Sequence, residues 1–137
     1  MRDAKQVQIA GTKLFSECDA SDIAWIARNG DTLDAGAGSV LAIEGRAVRE
    51  FIVVLDGVVS GGDVVFGRSS YFGEAGLLDG QPHGATIEAL TDARLLVFGP
   101  REFRALLARG PSVAKTLLRD LSERIRDQDE RSLRAVS

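Results

Sequence analysis

Phe72 to Thr86 reads FGEAGLLDGQPHGAT: a glycine-opened short helix, a turn, and then the start of a strand. Gly73 allows close backbone approach. Glu74 to Leu78 can form about one helical turn, whose free N–H groups point toward whatever lies at its N-terminus. That is an anion site in outline. A carboxylate at Glu74, in the same first turn, is placed to accept hydrogen bonds from a neutral diol such as a ribose. Downstream, Gly84 and Ala85 have side chains too small to block their own amides, so their N–H groups can join the cradle. The residues of this stretch alone also fit an ordinary glycine-rich turn between two strands.

Around the loop, from about Leu33 to Phe98, short β-branched runs alternate with glycine: SVLAIEG, EFIVVLDGVVSGGDVVFG, ATIEAL and ARLLVFG. Many short strands at this spacing predict a β-sandwich or jelly-roll barrel. Asp56-Gly57 between two apolar runs predicts a hairpin with both turn residues at positive φ, and Ser60-Gly61-Gly62-Asp63 predicts a second. Before the strands, Gly11 to Arg28 has a helical pattern, with Ser21 or Asp22 as cap, Ile23, Ile26 and Ala27 on one face, and a stop at Asn29-Gly30. This helix is expected to pack through Trp25 or Ile26. After the strands, Pro100 opens a helix ended by Gly110, and Pro111 opens a longer one to about Arg131. In the latter, Val113, Leu117, Leu121 and Ile125 form one apolar stripe, and Ala114, Leu118, Leu121 and Ile125 another. Either can lie on the barrel, which leaves apolar surface for a partner or for a dimer seam.

Composition narrows the function. A chain of 137 residues makes one domain. Its net charge of −3 creates no general field for nucleic acid or an anionic membrane. The single cysteine, Cys18, excludes an internal disulfide framework and a CxxC metal site, and fits a reducing compartment. No run has signal-peptide or membrane-span length, so the expected location is cytoplasmic. With one histidine, His83, neither a Ser/His/Asp set nor a histidine-rich metal site of the cupin kind is available. No GxxxxGK[ST] loop exists, and Asp31 and Asp34 read as strand-flanking carboxylates. The expectation is therefore a binding protein without catalytic or metal-binding residues.

The segment Phe72-Gly73-Glu74-Ala75-Gly76-Leu77-Leu78, then Asp79-Gly80-Gln81, then Pro82-His83-Gly84-Ala85-Thr86-Ile87 resembles the phosphate-binding cassette of the cyclic nucleotide-binding domain family. That cassette runs roughly F-G-E-x-A-L-L, a few turn residues, then P-R-x-A-T-V. The likeness extends over about residues 11 to 130, from LFSECDASDIAWIA through AGAGSVLAIEG and EFIVVLDGVV to EALTDARLLVFGPREFRALLARGPSVAKTLL. Residues 1–10 would be an N-terminal extension and 131–137 the end of the last helix and a tail. The resemblance implies a mainly β fold with flanking α elements: a jelly-roll barrel with a short N-terminal helix, a cassette helix and two C-terminal helices.

It also implies roles. Glu74 would bind the ribose 2′-hydroxyl, and Gly73 with Ala75 would lie against the sugar phosphate, flanked by Gly76. Gly84 and Ala85 would offer backbone N–H groups to the cyclic phosphate, followed by Thr86. Val58 and Val65 would pack on the base, and the C-terminal helix would move on binding. A hydroxyl residue after the family's arginine often favours the guanine nucleotide; Gly84 has none, so cAMP is the expected ligand. Relatives often carry a helix-turn-helix beyond the last helix, whereas this chain stops at Ser137, so direct DNA binding is not expected. Arg131 and Arg134 read as a solvated helix terminus.

His83 departs from the pattern, because it stands where the family has its arginine. A guanidinium is always charged and can hold two phosphate oxygens in a planar fork; an imidazole is mostly neutral at pH 7 and offers one donor. Losing a buried charge-assisted pair costs about 2–5 kcal/mol, roughly 30-fold to several thousand-fold in affinity. Compensation could come from a protonated His83, or from Arg68, Arg46 or Arg49 reaching in. The alternative is a degenerate module that binds no nucleotide and works through protein contacts of its last helix.

Overall fold

The computed structural model describes residues 2–109 and 111–136, with side chains described as far as Glu123. The expected stop at Gly110 and the side chains of Ile125, Arg131 and Arg134 lie outside the described residues.

Strand periodicity explains the layering. Along β3 (Phe51–Asp56), Phe51, Val53 and Leu55 enter one hydrophobic core while Ile52 and Val54 enter another. β8 (Ala93–Phe98) divides the same way, Leu96 and Phe98 to the first core and Ala93 and Leu95 to the second. Alternate side chains point to opposite faces, so a nearly continuous apolar run marks a strand buried on both. These two strands are the centre of one antiparallel sheet, flanked by β1 (Asp31–Ala35) and β6 (Tyr71–Phe72) in the order β1-β8-β3-β6. The second sheet is also antiparallel. It joins β2 (Val40–Ala42), β7 (Ile87–Ala89), β4 (Val59–Gly61) and β5 (Val64–Phe66) in the order β2-β7-β4-β5.

The second core draws Ala42, Val59, Ile87 and Ala89 from this sheet and Ile52, Val54 and Leu95 from the other, so it fills the space between them. The first core joins the outer face of the β3/β8 sheet to helices: Ile9 of α1 (Ala4–Ala10), Ile23 and Ile26 of α2 (Ala20–Asn29), Phe103 and Leu106 of α4 (Pro100–Arg109), and Val113 and Leu117 of α5 (Pro111–Val136). A short helix, α3 (Glu74–Asp79), is inserted between β6 and β7. The fold is the mainly β jelly roll with flanking helices, built as two four-stranded sheets rather than as a closed barrel.

Three local expectations change. The Asp56-Gly57 turn is no hairpin, because β3 and β4 belong to different sheets and Gly57 is where the chain crosses between them. Gly57 has φ +98, Asp56 does not adopt positive φ, and a Cβ on Gly57 would lie 2.6 Å from the Asp92 carbonyl oxygen. A glycine is needed there for the crossing itself. The second turn is a hairpin as expected: Gly61 pairs with Val64, Ser60 with Val65 and Val59 with Phe66.

At the N-terminus, the single helix expected over Gly11–Arg28 is a 3-10 turn at Lys13–Phe15 followed by α2, whose cap is Asp19 in a reciprocal box with Asp22. The residues before it form α1, started by an Asp3–Gln6 capping box, and they bury Ile9 completely. Ile26 is fully buried, whereas Trp25 is half-buried beneath the Arg109 guanidinium, 5.7 Å from the ring centroid.

The two stripes of α5 separate. Val113 and Leu117 are buried on the domain, while Leu118 is 67% exposed. Cys18, half-buried, lies 3.7 Å from the Ser112 hydroxyl at the start of the same helix. Burial pushes its thiol above the ordinary value, the carboxylates of Asp22, Asp19 and Glu17 act in the same direction, and Ser112 opposes them. It is a packing residue with little thiolate character.

Candidate functional site

The cassette is held by its glycines. Gly73 caps α3 at φ +97, and its carbonyl accepts the Leu77 N–H at 3.2 Å. Gly80 ends the helix at φ +77, its N–H donating to the Gly76 carbonyl at 2.9 Å. The left-handed region favours glycine at both positions.

The whole cassette runs antiparallel to the segment Glu44–Glu50 and touches it at four places. The Glu44 N–H donates to Thr86 Oγ1 at 3.1 Å. The Gly45 N–H donates to the His83 carbonyl, and the His83 N–H to the Arg46 carbonyl, both at 2.9 Å. Gly76 lies against Val48, so closely that a Cβ would run into that side chain, and a Cβ on Gly73 would run into the Glu50 carbonyl oxygen. Two of the glycines expected to approach a ligand are therefore also required by the fold.

The expected site residues divide by surroundings. Glu74 is 4% exposed in the first turn of α3 and lines a cavity of about 230 Å³ with Leu78, Leu107, Ala114, Leu117, Leu118 and Leu121. Ala75 and Gly84 are exposed and Ala85 is half-buried. A Cβ on Gly84 would find no atom within 4 Å, so its backbone is open to approach. The Thr86 hydroxyl is engaged by Glu44, as above.

His83, half-buried, lines a larger cavity of about 420 Å³, floored by Ala42 and Ile52 and walled by Arg46, Arg49 and Glu50. Of the expected cassette contacts, only His83 lines this cavity; Gly73, Glu74, Ala75, Gly76, Gly84, Ala85 and Thr86 do not. Val58 and Val65 do not line it either. Val58 is tied by its backbone to Leu90 and Thr91, and Val65 is 62% exposed on the face opposite Phe66. The inward positions of that hairpin are Val59, Gly61, Val64 and Phe66. Of the three arginines considered, Arg46 and Arg49 share the cavity with His83, whereas the Arg68 guanidinium lies beside Gly11.

One contact has no signal in the sequence. The Tyr71 hydroxyl, on the strand that leads into the cassette, donates to the Asp120 carboxylate on α5. It ties the start of the cassette to the last helix.

The family model of the cyclic nucleotide-binding domain matches residues 33–110, more than half of the chain. The chain belongs to the cyclic nucleotide-binding domain family. Among proteins similar to this domain are a cyclic nucleotide-gated potassium channel of Rhizobium etli, 27% identical over 120 residues, and one of Mesorhizobium japonicum, 28% identical over 119 residues. Each alignment covers 85% of this chain and 34% of the channel, so the chain spans about a third of the length of these relatives. The crystal structure of Thermus thermophilus catabolite activator protein superposes with a TM-score of 0.77 at 25% identity, over 85% of this chain and 59% of that one. Among the described residues, no helix of the domain is long and apolar enough to cross a membrane.

Proposed function

We propose that this cyclic nucleotide-binding domain is a cytoplasmic regulatory module that senses cAMP through its cassette and passes occupancy to α4 and α5. The observation that carries the proposal is the position of Glu74. It is buried in the first turn of the cassette helix and shares a cavity with Leu107 of α4 and Leu117, Leu118 and Leu121 of α5. A ligand that engages Glu74 through its ribose 2′-hydroxyl therefore acts on a group that shares this cavity with the helices that would report it. The Tyr71–Asp120 hydrogen bond gives the same helix a second tie to the cassette.

In this account Gly73, Ala75 and Gly76 lie against the sugar phosphate. His83, the Gly84 and Ala85 amides and Thr86 face the cyclic phosphate. The base packs on the β4–β5 hairpin through its inward residues; Val64, on the same face as buried Val59, is still 55% exposed and leaves room there. The domain acts by binding, without catalysis, and the cyclic nucleotide-gated channels similar to it suggest that a full-length protein could couple such a domain to an effector.

Calorimetric titration with cAMP, cGMP and 5′-AMP tests this. Saturable binding of cAMP, weaker for cGMP and absent for 5′-AMP, is expected. Absence of binding by either cyclic nucleotide at millimolar concentration would overturn it.

A specific observation supports a second, protein-facing role: Leu118 on α5 and Leu78 on α3 are 67% and 60% exposed beside an apolar cavity. We propose that this face makes a homodimer through α5, the same face being available to a protein partner. Light scattering is expected to give a dimer mass that Leu118→Glu converts to a monomer. A monomer mass for the unaltered chain at high concentration would exclude the dimer.

A further inference from the structure

We propose that Arg46 and Arg49 supply the positive charge for the cyclic phosphate that the family places at position 83, an inference that rests on the nucleotide-binding function above. The backbone fixes their position. Between Glu44 and Glu50 the chain is held along the cassette by the Thr86, His83, Gly76 and Gly73 contacts, and the hydrogen bonds of His83 with the Gly45 N–H and the Arg46 carbonyl bring the Arg46 backbone beside the histidine.

Arg46 and Arg49 wall the same cavity of about 420 Å³ as His83, over an apolar floor of Ala42 and Ile52. Among the described residues the ion pairs are Arg94 with Asp34 and Arg109 with Asp22, which leaves both cavity guanidiniums uncommitted. The Glu50 carboxylate in the same wall opposes an anion, but it is one negative charge against two positive ones. Next to His83, Gly84 offers its backbone without obstruction. Two guanidiniums beside an apolar floor suit a singly charged phosphodiester ring carrying an apolar body. A guanidinium keeps its charge at any physiological pH and can hold two phosphate oxygens at once. Arg46 and Arg49 are exposed, so neutral replacements leave the core intact.

The test is titration of the full chain with cAMP for four proteins: the unaltered chain, Arg46→Gln/Arg49→Gln, His83→Arg, and the triple combination, each checked for an unchanged melting curve. Loss of about tenfold or more in affinity in the double variant, restored when His83→Arg is added, is the expected result. Unchanged affinity in the double variant would overturn the assignment while leaving nucleotide binding in place. An unaltered chain that does not bind, with His83→Arg that does, would also overturn it, because the two arginines would then have failed to replace the family's arginine in a competent site. If neither the unaltered chain nor His83→Arg binds, both this inference and the nucleotide-binding function fall.

Discussion

Gly73→Ala is expected to destabilise the domain by about 2–5 kcal/mol and to abolish cyclic nucleotide binding. Gly73 sits at φ +97, where an L side chain costs about 1–2 kcal/mol. Its Cβ would meet the Glu50 carbonyl oxygen, and forcing extra atoms into a packed position adds about 1–3 kcal/mol. Backbone cannot yield as the end of a flexible side chain can. Relief therefore has to separate the cassette from Glu44–Glu50, the contact that orders the site. Gly84→Ala is the control: its Cβ has no neighbour within 4 Å, and its φ is not positive, so its stability should change by less than about 0.5 kcal/mol. Urea unfolding of the two variants measures the difference. Equal stabilities would show that Gly73 is not held as described.

Phe51→Ala is expected to remove about 3–5 kcal/mol, a large part of what a domain of this size possesses. Phe51 is fully buried, with its ring centroid 4.8 Å from that of Phe103, 5.8 Å from Tyr71 and 6.0 Å from Phe98. These neighbours belong to α4, β6 and β8, so one ring joins the central sheet to a C-terminal helix and to the strand that enters the cassette. Truncation leaves a cavity at that junction, and the docking of α4 should loosen with it. Denaturant unfolding is the measurement, and a loss below about 1 kcal/mol would contradict the packing described.

Much of the architecture is legible in the sequence because it follows from local patterns. The uninterrupted apolar run Phe51–Leu55 marks a strand buried on both faces, and the two C-terminal helices open at Pro100 and Pro111 as expected, the second running on to Val136, past the expected end near Arg131. The Asp56-Gly57 turn misleads because turn chemistry specifies a bend and not which sheet the chain enters next. The Asp3-x-x-Gln6 box that starts α1 is a readable signal, but only Ile9 at 0% exposure shows that the segment belongs to the core.

Val65 was within reach of counting. A two-residue turn at Gly62-Asp63 sets Val65 across from Ser60, so it lies on the opposite face from buried Val59. The positions of Arg46 and Arg49 were not, since contacts made across about forty residues decide which of three arginines shares the cavity of His83. Nor does periodicity show which stripe of α5 faces inward; packing of Val113 and Leu117 against the helical core settles that.

The most direct test of the central claim is a proton–nitrogen NMR titration of the labelled chain with cAMP. The amide signals of Gly73 to Gly76 and His83 to Thr86 are expected to shift saturably, together with signals of α5, and to stay unmoved in Glu74→Gln. Cassette amides that do not shift at millimolar cAMP would contradict the account.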